Sequence, residues 1–422
     1  MINKIIGTTF SRGLMAIFGL LTLILNTRYL GAEKMGELAV LLITIALMVQ
    51  LSEFIGGPSL VYLQKKFSTP QIITVSHLWS LGIALATFGI LIIFKSVFNF
   101  PALLISLIIL TQAINHTHLH LLVGKEMISG YNLSSVIQSS VVVSGIFISY
   151  QFIGATQVWD YLQIYFLGQI IMLFFTSWFV SRIPKSISNN ISNWKMVKDI
   201  FNYGAIIQGT NLLQFGVYRF NYLILESFTS YSNLGIYSVG NQLSEKVLIP
   251  GNAISTVQYS RIANSEEKEK SIDLTFSLIT ISAMITLLAI IALLIVPQSV
   301  ISFILGGEFS TIKSLFFFLA PGVFFMSIST IFSHYFAGLA LYKYNFRTSG
   351  FGLILSLVLS ILLIPLFNLQ GAAIATSIVF AGQTLFQITL FKKETEMSWG
   401  AIVERFIASS SKIKDMLLNR FK

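Results

Sequence analysis

Apolar segments long enough to cross a lipid bilayer fill this chain of 422 residues almost from end to end. A helix needs about 20 consecutive apolar residues to span the hydrocarbon core of a bilayer. Twelve segments meet that requirement: residues 7–29, 36–57, 74–94, 101–123, 133–153, 160–181, 200–226, 235–259, 273–296, 314–338, 347–367 and 371–391. The sequence therefore predicts an all-α integral membrane protein, with no region left to form a separate soluble domain.

The composition agrees with a membrane protein. Charged residues make up 10% of the chain and hydrophobic residues 55%, whereas soluble domains carry about 25% charged residues. The first apolar segment is too long for the core of a signal peptide and lacks a small-residue cleavage site, so we treat it as a span. The chain has no cysteine, which excludes disulfides, zinc–thiolate sites and cysteine catalysis.

The net charge of +10 is distributed unevenly between the two sides of the predicted membrane. With the N-terminus in the cytoplasm, 21 of the 27 Lys and Arg residues fall on the cytoplasmic side, in the N-terminal arm, the even-numbered loops and the C-terminal tail, counting Arg12 near the inner face of the first span. Four fall on the opposite side and two within spans. An excess of basic residues on the cytoplasmic side sets topology, so we predict that both termini are cytoplasmic. The basic charge is then a topology signal, not a nucleic-acid site.

A polar segment divides the spans into two blocks of six. We predict an N-terminal six-helix bundle at 1–181, a cytoplasmic linker at 182–199, a C-terminal six-helix bundle at 200–391 and a cytoplasmic basic tail at 392–422. Apolar residues in the tail alternate with basic ones at helical spacing, which indicates either an amphipathic helix on the membrane surface or a disordered tail.

Weak internal echoes favour a duplication. Tyr131-Asn132 is matched by Tyr344-Asn345, and Gly168-Gln169 by Gly382-Gln383. The two dipeptides are 37 residues apart in the first half and 38 residues apart in the second. Parallel repeats of this kind place a transporter's substrate site near the membrane midplane between the halves. A helical bundle without duplication is the alternative.

Polar residues recur at helical spacing in the first two predicted spans of each half. The stripes contain Thr8, Arg12, Gly19, Thr22 and Asn26, then Gln50, Glu53 and Gly57, then Gln208, Asn211, Tyr218, Tyr222 and Glu226, then Tyr237, Asn241, Glu245, Asn252, Ser255 and Tyr259. Lys246 lies one residue from Glu245, about 100° around the helix, and cannot simply neutralise it. The stripes either line a cavity or supply hydrogen bonds between helices.

Cations inside spans are costly and usually face a cavity or a partner. Arg219 and Lys246 are therefore candidate ligands for an anionic substrate, because Arg forks onto a phosphate and Lys supplies a point charge. Arg12 lies near the inner face and either joins them or reaches the headgroups. Tyr218 and Tyr222 offer flat amphipathic faces suited to sugars, although aromatic residues are also ordinary packing residues.

Motifs for catalysis or metal binding are missing from the sequence. His116 and His120 stand four residues apart, with His118 between them, and could share a metal, but that stretch holds no acidic partner. The sequence contains no Walker A, GxSxG or HExxH motif. We therefore predict a protein without a catalytic residue, metal or cofactor.

Four stretches of the chain resemble the Wzx-like O-antigen and polysaccharide flippases of the multidrug/oligosaccharidyl-lipid/polysaccharide exporter superfamily. They are Arg28-Tyr29-Leu30-Gly31 with Met35-Gly36, then Leu234-Gly235-Ile236-Tyr237-Ser238, then Ile304-Leu305-Gly306-Gly307-Glu308-Phe309 followed by Leu319-Ala320-Pro321, and the run from Ile364-Pro365 through Asn368 to Thr376.

The resemblance implies twelve transmembrane helices in two six-helix bundles around a central cavity. It implies that an undecaprenyl-diphosphate-linked oligosaccharide is moved from the cytoplasmic to the periplasmic leaflet of the bacterial inner membrane, for O-antigen, lipopolysaccharide or other surface polysaccharide biosynthesis. Polysaccharide polymerase and other assembly proteins would be partners. Asn221 stands where the family often has Asp, and Glu53 where Asp is commoner, which puts cation coupling through the first position in doubt.

We assign roles on this hypothesis of transport by alternating access. Arg12, Arg219 and Lys246 would hold the diphosphate, Gln50, Gln208, Asn211 and Asn241 would hydrogen-bond the glycan beside Tyr218 and Tyr222, and Glu53 and Glu245 would couple transport to protons or sodium. Two alternatives stay open. A multidrug or cation exporter of the same superfamily would need a mainly acidic cavity, and a membrane-embedded glycan polymerase or ligase would need a large outer loop.

Overall fold

The computed structural model describes residues 2–64, 66–94, 101–183, 193–265 and 267–420. Within these ranges the chain forms fourteen α-helices and no β-strand, which confirms the predicted all-α class. The chain divides into two compact units, Met1–Leu212 (unit 1) and Leu213–Lys422 (unit 2).

Unit 1 is built on one long helix and the helices that pack around it. Helix α1 packs against α3, α4 and α5, and α6 packs against α4 and α5. A buried apolar cluster that includes Ile55, Ile72, Leu121, Val180 and Ile200 joins the ends of these helices. The elements are α1 (Ile2–Gly56), α2 (Leu60–Leu63), α3 (Thr69–Ile93), α4 (Ala102–Gly124), α5 (Ile128–Ile148) with a π-helical turn (Ser149–Ile153), α6 (Val158–Ser181) and the first part of α7 (Asn193–Phe228).

Unit 2 contains the remainder of α7 and seven further helices. Helix α12 packs against α8, α9, α10 and α13 and so forms the centre of this unit. The elements are α8 (Tyr231–Val247), α9 (Ile249–Ala263), α10 (Lys268–Ile295), α11 (Gln298–Leu305), a 3-10 turn (Gly307–Phe309), α12 (Ile312–Gly338), α13 (Tyr342–Thr395) and α14 (Trp399–Arg420).

Eight helices of the described chain are long and apolar enough to cross a membrane. They are Phe10–Gly56, Thr69–Ile93, Ala102–Gly124, Ile128–Ile153, Val158–Ser181, Lys268–Ile295, Ile312–Gly338 and Tyr342–Thr395. Large apolar side chains on them are exposed, including Phe174, Leu288 and Ile354. Extensive apolar exposure on long helices is the pattern of a multi-pass membrane protein, whose solvent is lipid.

Two of these helices are broken in the middle and each carries two predicted spans. Gly31 has φ 75° inside α1, a value that glycine adopts without the steric cost of a Cβ. Asn368 has φ 49° inside α13, and Asn is among the few other residues that tolerate positive φ. The break in α13 is tight, because a Cβ on Gly371 would lie 2.1 Å from the carbonyl oxygen of Leu363.

The predicted eighth span, 235–259, is not one continuous helix. Helix α8 ends at Val247 and α9 begins at Ile249, with Pro250 in the first turn of α9. Proline lacks a backbone N–H and suits the first turn of a helix rather than its interior. The segment predicted as the eighth span is therefore built from two helices, α8 and α9, and not from one.

The polar linker predicted at 182–199 is partly helical, because α7 begins at Asn193. Residues 184–192 of that linker lie outside the described residues. The basic tail forms α14 through Arg420, so the amphipathic-helix interpretation fits the structure better than a disordered tail.

Helices α12 and α13 approach closely at a proline. Pro321 lies inside α12, and Ser377 of α13 supplies the polar contacts there: its Oγ accepts from the Gly322 N–H at 3.1 Å and donates to the Phe318 carbonyl at 2.5 Å. A Cβ on Gly322 would lie 2.6 Å from the Cα of Ser377. Gly322 is therefore needed for this approach, and Ser377 pairs backbone groups that a proline-distorted turn leaves open.

Candidate functional site

The predicted site residues fall into both units. Unit 1 holds Arg12, Gln50, Glu53, Gln208 and Asn211, and unit 2 holds Tyr218, Arg219, Tyr222, Asn241, Glu245 and Lys246.

Four predicted residues of unit 2 form one hydrogen-bonded group, which we call the α7–α8 cluster: Arg219, Tyr222, Asn241 and Glu245. Arg219 Nη2 lies 3.0 Å from Glu245 Oε1 and 3.3 Å from Oε2. Arg219 Nη1 donates to the Tyr222 hydroxyl at 3.0 Å. Asn241 Nδ2 donates to both the Tyr222 hydroxyl at 3.2 Å and Glu245 Oε1 at 3.0 Å.

Helical spacing explains why these side chains meet. Arg219 and Tyr222 are three residues apart on α7, and Asn241 and Glu245 are four apart on α8, so each pair shares one helix face. The cluster is half-buried, with 24% of the Arg219 side chain and 36% of the Glu245 side chain exposed. The sequence interpretation treated Arg219 as an unpaired cation, and the structure corrects this because Glu245 lies on the facing helix.

Lys246 and Tyr218 lie outside the hydrogen-bond pattern of the cluster. Lys246 is exposed and forms no hydrogen bond or ion pair with another described residue. The Tyr218 hydroxyl contacts Met326 Sδ at 3.6 Å, and its ring packs edge-on against Phe380. Tyr218 therefore has the contacts of a packing residue in this structure, and Lys246 remains the available cation beside the cluster.

A second, buried group lies directly behind the cluster. Asn221 Nδ2 donates to the Tyr237 hydroxyl and to Thr376 Oγ1 at 2.9 Å, and the Tyr237 and Thr376 oxygens are 2.8 Å apart. Tyr237 also packs edge-on against Tyr222. This group joins α7, α8 and α13, and Thr376 had not been singled out because its part in the sequence motif gives no hint of its partner.

Unit 1 brings Gln50, Gln208 and Asn211 together. Gln208 is buried and its Nε2 donates to the backbone carbonyl of Gln50 at 2.7 Å, while Asn211 Nδ2 contacts Gln208 Oε1 at 3.4 Å. Asn211 is exposed. These contacts fasten the first part of α7 to α1, and they leave the amide of Asn211 largely available.

Glu53 has two partners that the sequence did not reveal. His116 Nδ1 lies 2.7 Å and His120 Nε2 4.0 Å from Glu53 Oε1. Both histidines are on α4, 63 and more residues along the chain, so sequence spacing could not connect them with Glu53. The stretch of α4 around these histidines holds no acidic residue, and the acidic partner comes instead from α1.

Other members of the predicted polar stripe of the first span act between helices. Asn132 Nδ2 donates to Thr8 Oγ1 at 3.1 Å, and the Tyr150 hydroxyl donates to Asn26 Oδ1 at 3.0 Å. Thr8 and Asn26 thus hold α1 to α5 and its π-helical turn, as the hydrogen-bond alternative predicted. Arg12 is exposed and pairs with no described side chain.

Comparison with known proteins shows what this arrangement is similar to. A family profile described as "Polysaccharide biosynthesis protein" matches residues 25–314. The probable low-salt glycan biosynthesis flippase Agl15 of Haloferax volcanii is 22% identical over 224 residues, which are 52% of this chain and 46% of that protein. The chain spans about half the length of the curated relatives it matches.

Solved structures extend the similarity to almost the whole fold. The lipid II flippase MurJ, in an inward closed conformation, matches with a TM-score of 0.73 at 16% identity, covering 100% of this chain and 92% of that one. An inward-facing multidrug resistance MATE family transporter of the MOP superfamily matches with a TM-score of 0.71 at 13% identity, covering 91% and 96%. At these identities the likeness shows a shared fold.

Proposed function

The chain belongs to the polysaccharide biosynthesis protein family, and we propose that it is a flippase that moves a lipid-linked oligosaccharide across the membrane by alternating access. The substrate we propose is an undecaprenyl-diphosphate-linked repeat unit, carried from the cytoplasmic to the periplasmic leaflet of a bacterial inner membrane with both termini cytoplasmic. The product would supply O-antigen, lipopolysaccharide or another surface polysaccharide, with a polymerase and other assembly proteins downstream.

The proposed architecture is twelve crossings in two six-helix bundles around a cavity, with bundles at 1–181 and 200–391, a linker at 182–199 and a tail at 392–422. The broken helices α1 and α13 would each cross twice. Helix α7, and α8 with α9, would supply the remaining two crossings. Helices α8 and α9 have only 17 and 15 residues and so are each too short for the apolar set. Helix α7 is long but carries a polar stripe, which suits a helix that faces a wet cavity.

The observation that carries the proposal is the ion pair of Arg219 with Glu245 inside a half-buried group of hydrogen-bonding side chains. A diphosphate carries more negative charge than one carboxylate and accepts the same forked hydrogen bonds. It would therefore displace Glu245 from Arg219, with the exposed Lys246 supplying a second cation and Arg12 a third. Glu245, once released, would be free to take up a proton or a sodium ion.

The glycan would be held by neutral side chains. Asn211, Gln50, Gln208 and Asn241 offer amide groups, and Tyr222 offers a hydroxyl that already accepts from two neighbours. Tyr218 would provide a ring face. Sugars and a diphosphate could not cross a bare bilayer core, because each unpaired polar group there costs several kcal/mol.

A multidrug exporter remains the second candidate, because the fold is similar to that of a MATE family transporter. Such a protein would bind cations, and the mixed charges of the α7–α8 cluster favour an anionic substrate instead. A polymerase or ligase would need a sizeable outer loop to bind its acceptor, and the longest predicted outer loop, 297–313, is short.

The test is to delete the gene and follow lipid-linked glycans by mass spectrometry together with their membrane sidedness. We expect single repeat units to accumulate on the cytoplasmic leaflet. Complementation with Arg219→Ala or Lys246→Ala should leave most of the block in place, whereas Arg261→Ala, an exposed arginine of α9 outside the site, should restore wild-type polymer. Accumulation on the outer leaflet would point to a polymerase or ligase, and altered drug resistance with normal polymer to an exporter.

A further inference from the structure

Glu53 lies near the end of α1 in a setting that is unusual for a carboxylate within a span. Its side chain is 13% exposed, and two imidazoles of α4 approach the same carboxylate oxygen, His116 at 2.7 Å and His120 at 4.0 Å. The two histidines are four residues apart, so they project from one face of α4 toward α1.

No Lys or Arg among the described residues lies within ion-pair distance of Glu53, and His116 and His120 are the charged groups that act on it. On α3, His77 faces His118 of α4, with ring centroids 5.1 Å apart, and His118 Nδ1 lies 3.2 Å from Thr176 of α6. Beyond α2, Lys66 pairs with Asp199 of α7. Within the described part of the chain, the basic groups within 4.0 Å of the Glu53 carboxylate are therefore imidazoles, which carry a positive charge only when protonated.

An ionised carboxylate in a span is stabilised by a cation or neutralised by a proton. Histidine changes charge between about pH 5 and pH 8, so the charge balance at Glu53 follows the number of bound protons. We propose that Glu53, His116 and His120 form a proton-binding site in unit 1 that holds the second half of α1 to α4 when protonated.

The consequence of proton binding follows from the hydrogen bonds. With a protonated imidazole, the Glu53–His116 contact joins two opposite charges as well as making a hydrogen bond. When the proton leaves, a carboxylate faces two neutral rings and the contact between α1 and α4 weakens. A carboxylate and two imidazoles within 4.0 Å of one of its oxygens are groups that bind and release protons, so a proton is the ligand that this geometry fits.

As a coupling device this inference rests on the proposed function, but the site itself can be tested without substrate. We would measure the thermal unfolding midpoint of the purified full-length protein from pH 5.5 to pH 8.5 for wild type, Glu53→Gln, His116→Gln/His120→Gln and His334→Gln. His334 is a half-buried histidine of unit 2 and serves as the matched control.

We expect wild type to exceed Glu53→Gln and the double histidine variant by about 2–4 °C at pH 5.5 and to lose this advantage as the pH rises to 8.5. His334→Gln should not show a wild-type advantage confined to low pH, because the partners of His334 among the described residues are Ser255 and the Thr330 carbonyl and not a carboxylate. The titration of 15N-labelled histidines by NMR, compared between wild type and Glu53→Gln, gives a second readout if the double variant does not fold.

The proton site would be overturned by a difference in unfolding midpoint between wild type and Glu53→Gln that does not change with pH. Histidine titration curves that are the same in wild type and Glu53→Gln would also overturn it. Neither result would affect the flippase proposal. Conversely, a pH-dependent contact in a protein that moves no lipid-linked glycan would contradict the flippase proposal and leave the proton site in place. In a protein that does transport, the ratio of the flipping rates at the two ends of the pH range should be about fivefold smaller in the variants than in wild type.

A second inference comes from α14, on independent evidence. One side of this helix is docked on α10: Ile402 is buried, the rings of Phe406 and Phe276 are 4.9 Å apart, and Arg405 donates to Glu269 and Asp273. On another side Trp399, Val403 and Ile407 form an exposed apolar stripe at four-residue spacing.

The place where α14 docks identifies what covers this stripe. Glu269 and Asp273 stand in the first two turns of α10, ahead of its long apolar stretch, so α14 lies where a membrane span leaves the bilayer. Lys392 lies 5.5 Å from the ring of Trp399, and Trp beside Lys is typical of a membrane interface. We infer that the Trp399–Val403–Ile407 stripe lies in the lipid headgroup and acyl-chain boundary.

The absence of cysteine from the chain makes a clean test possible. A fluorescent label on Val403→Cys in full-length protein in nanodiscs should be quenched by lipids with spin labels high on the acyl chain, at least about threefold more than a label on Glu404→Cys. Glu404 is exposed and lies about 100° around the helix from Val403, at the edge of the stripe, so a label there sits at a shallower depth. Equal and weak quenching at both positions would refute a lipid contact and point to a protein partner.

Discussion

Arg219 and Glu245 form an ion pair between α7 and α8, with Nη2 3.0 Å from Oε1 and the Tyr222 hydroxyl on the other arm of the guanidinium. Both side chains are partly exposed. A pair in this position is exchangeable: exposed pairs contribute about 0.2–1 kcal/mol, whereas breaking a fully buried pair costs about 3–5 kcal/mol. The cluster is therefore stable enough to be ordered and weak enough to open for a stronger anion.

The first prediction concerns this exchange. Arg219→Ala should reduce flipping of a diphosphate-linked glycan in proteoliposomes at least about tenfold, because it removes the forked cation. Arg219→Lys should recover only part of the loss, since Lys offers no fork.

A double-mutant cycle of Arg219→Ala and Glu245→Ala on thermal stability measures the pair itself. We expect a coupling free energy of about 0.5–2 kcal/mol. A coupling near zero together with wild-type flipping in Arg219→Ala would show that the pair serves neither stability nor transport.

The residues of the α7–α8 cluster show how much of the site could be predicted from the sequence. Helical phase placed Tyr222 in a polar stripe with Arg219 beside it, and Asn241 and Glu245 in one stripe of the next helix, because phase depends only on 3.6 residues per turn. It could not show that the two sides face each other, since the rotation of one helix about its axis relative to another is set by packing throughout the unit.

The same limit hid the contact of Glu53 with His116, where 63 residues separate the partners. The break between α8 and α9 is different, because its signal was present. Pro250 is itself a sequence signal for a new helix, because proline is common in the first turn of a helix. Continuous apolar character outweighed that signal in the prediction of one span.

A second prediction concerns the buried group behind the cluster. Asn221→Ala should lower the free energy of unfolding by about 1–3 kcal/mol, because it removes the donor to Tyr237 and Thr376 and leaves a small cavity. Thr376→Val should cost less, since Tyr237 and Asn221 still contact each other. Thermal unfolding of both variants checks this order, and a costlier Thr376→Val would show that the threonine is the main link.

A third prediction tests the proline site in α12. Ser377→Ala removes the hydroxyl that pairs with the Gly322 N–H and the Phe318 carbonyl. Both backbone groups lose this partner in an apolar setting, so the variant should lose about 1–3 kcal/mol of stability. Ser356→Ala, a buried serine of α13, is the matched control and should cost clearly less. Equal losses in both variants would mean that Ser377 acts only as a small side chain.

The fourth prediction concerns acid. Lys66 Nζ lies 2.5 Å from Asp199 Oδ2, and this hydrogen bond lowers the pKa of the Asp199 carboxyl below its ordinary value. A carboxyl with a lowered pKa in the folded protein contributes stability above its unfolded pKa of about 3.9 and loses it as the pH falls through the lower, folded value. The contribution of Asp199 should therefore be constant from neutral pH down to about pH 5.

The measurement is the unfolding midpoint of wild type against Asp199→Asn as a function of pH. The difference between the two should be flat between about pH 5 and pH 8 and should shrink below about pH 4. High salt should reduce it throughout, because Asp199 is solvent-accessible and its charge is screened. A difference that grows as the pH falls would mean that the carboxyl is stabilised in its protonated form, and the Lys66 contact would then not be its dominant interaction.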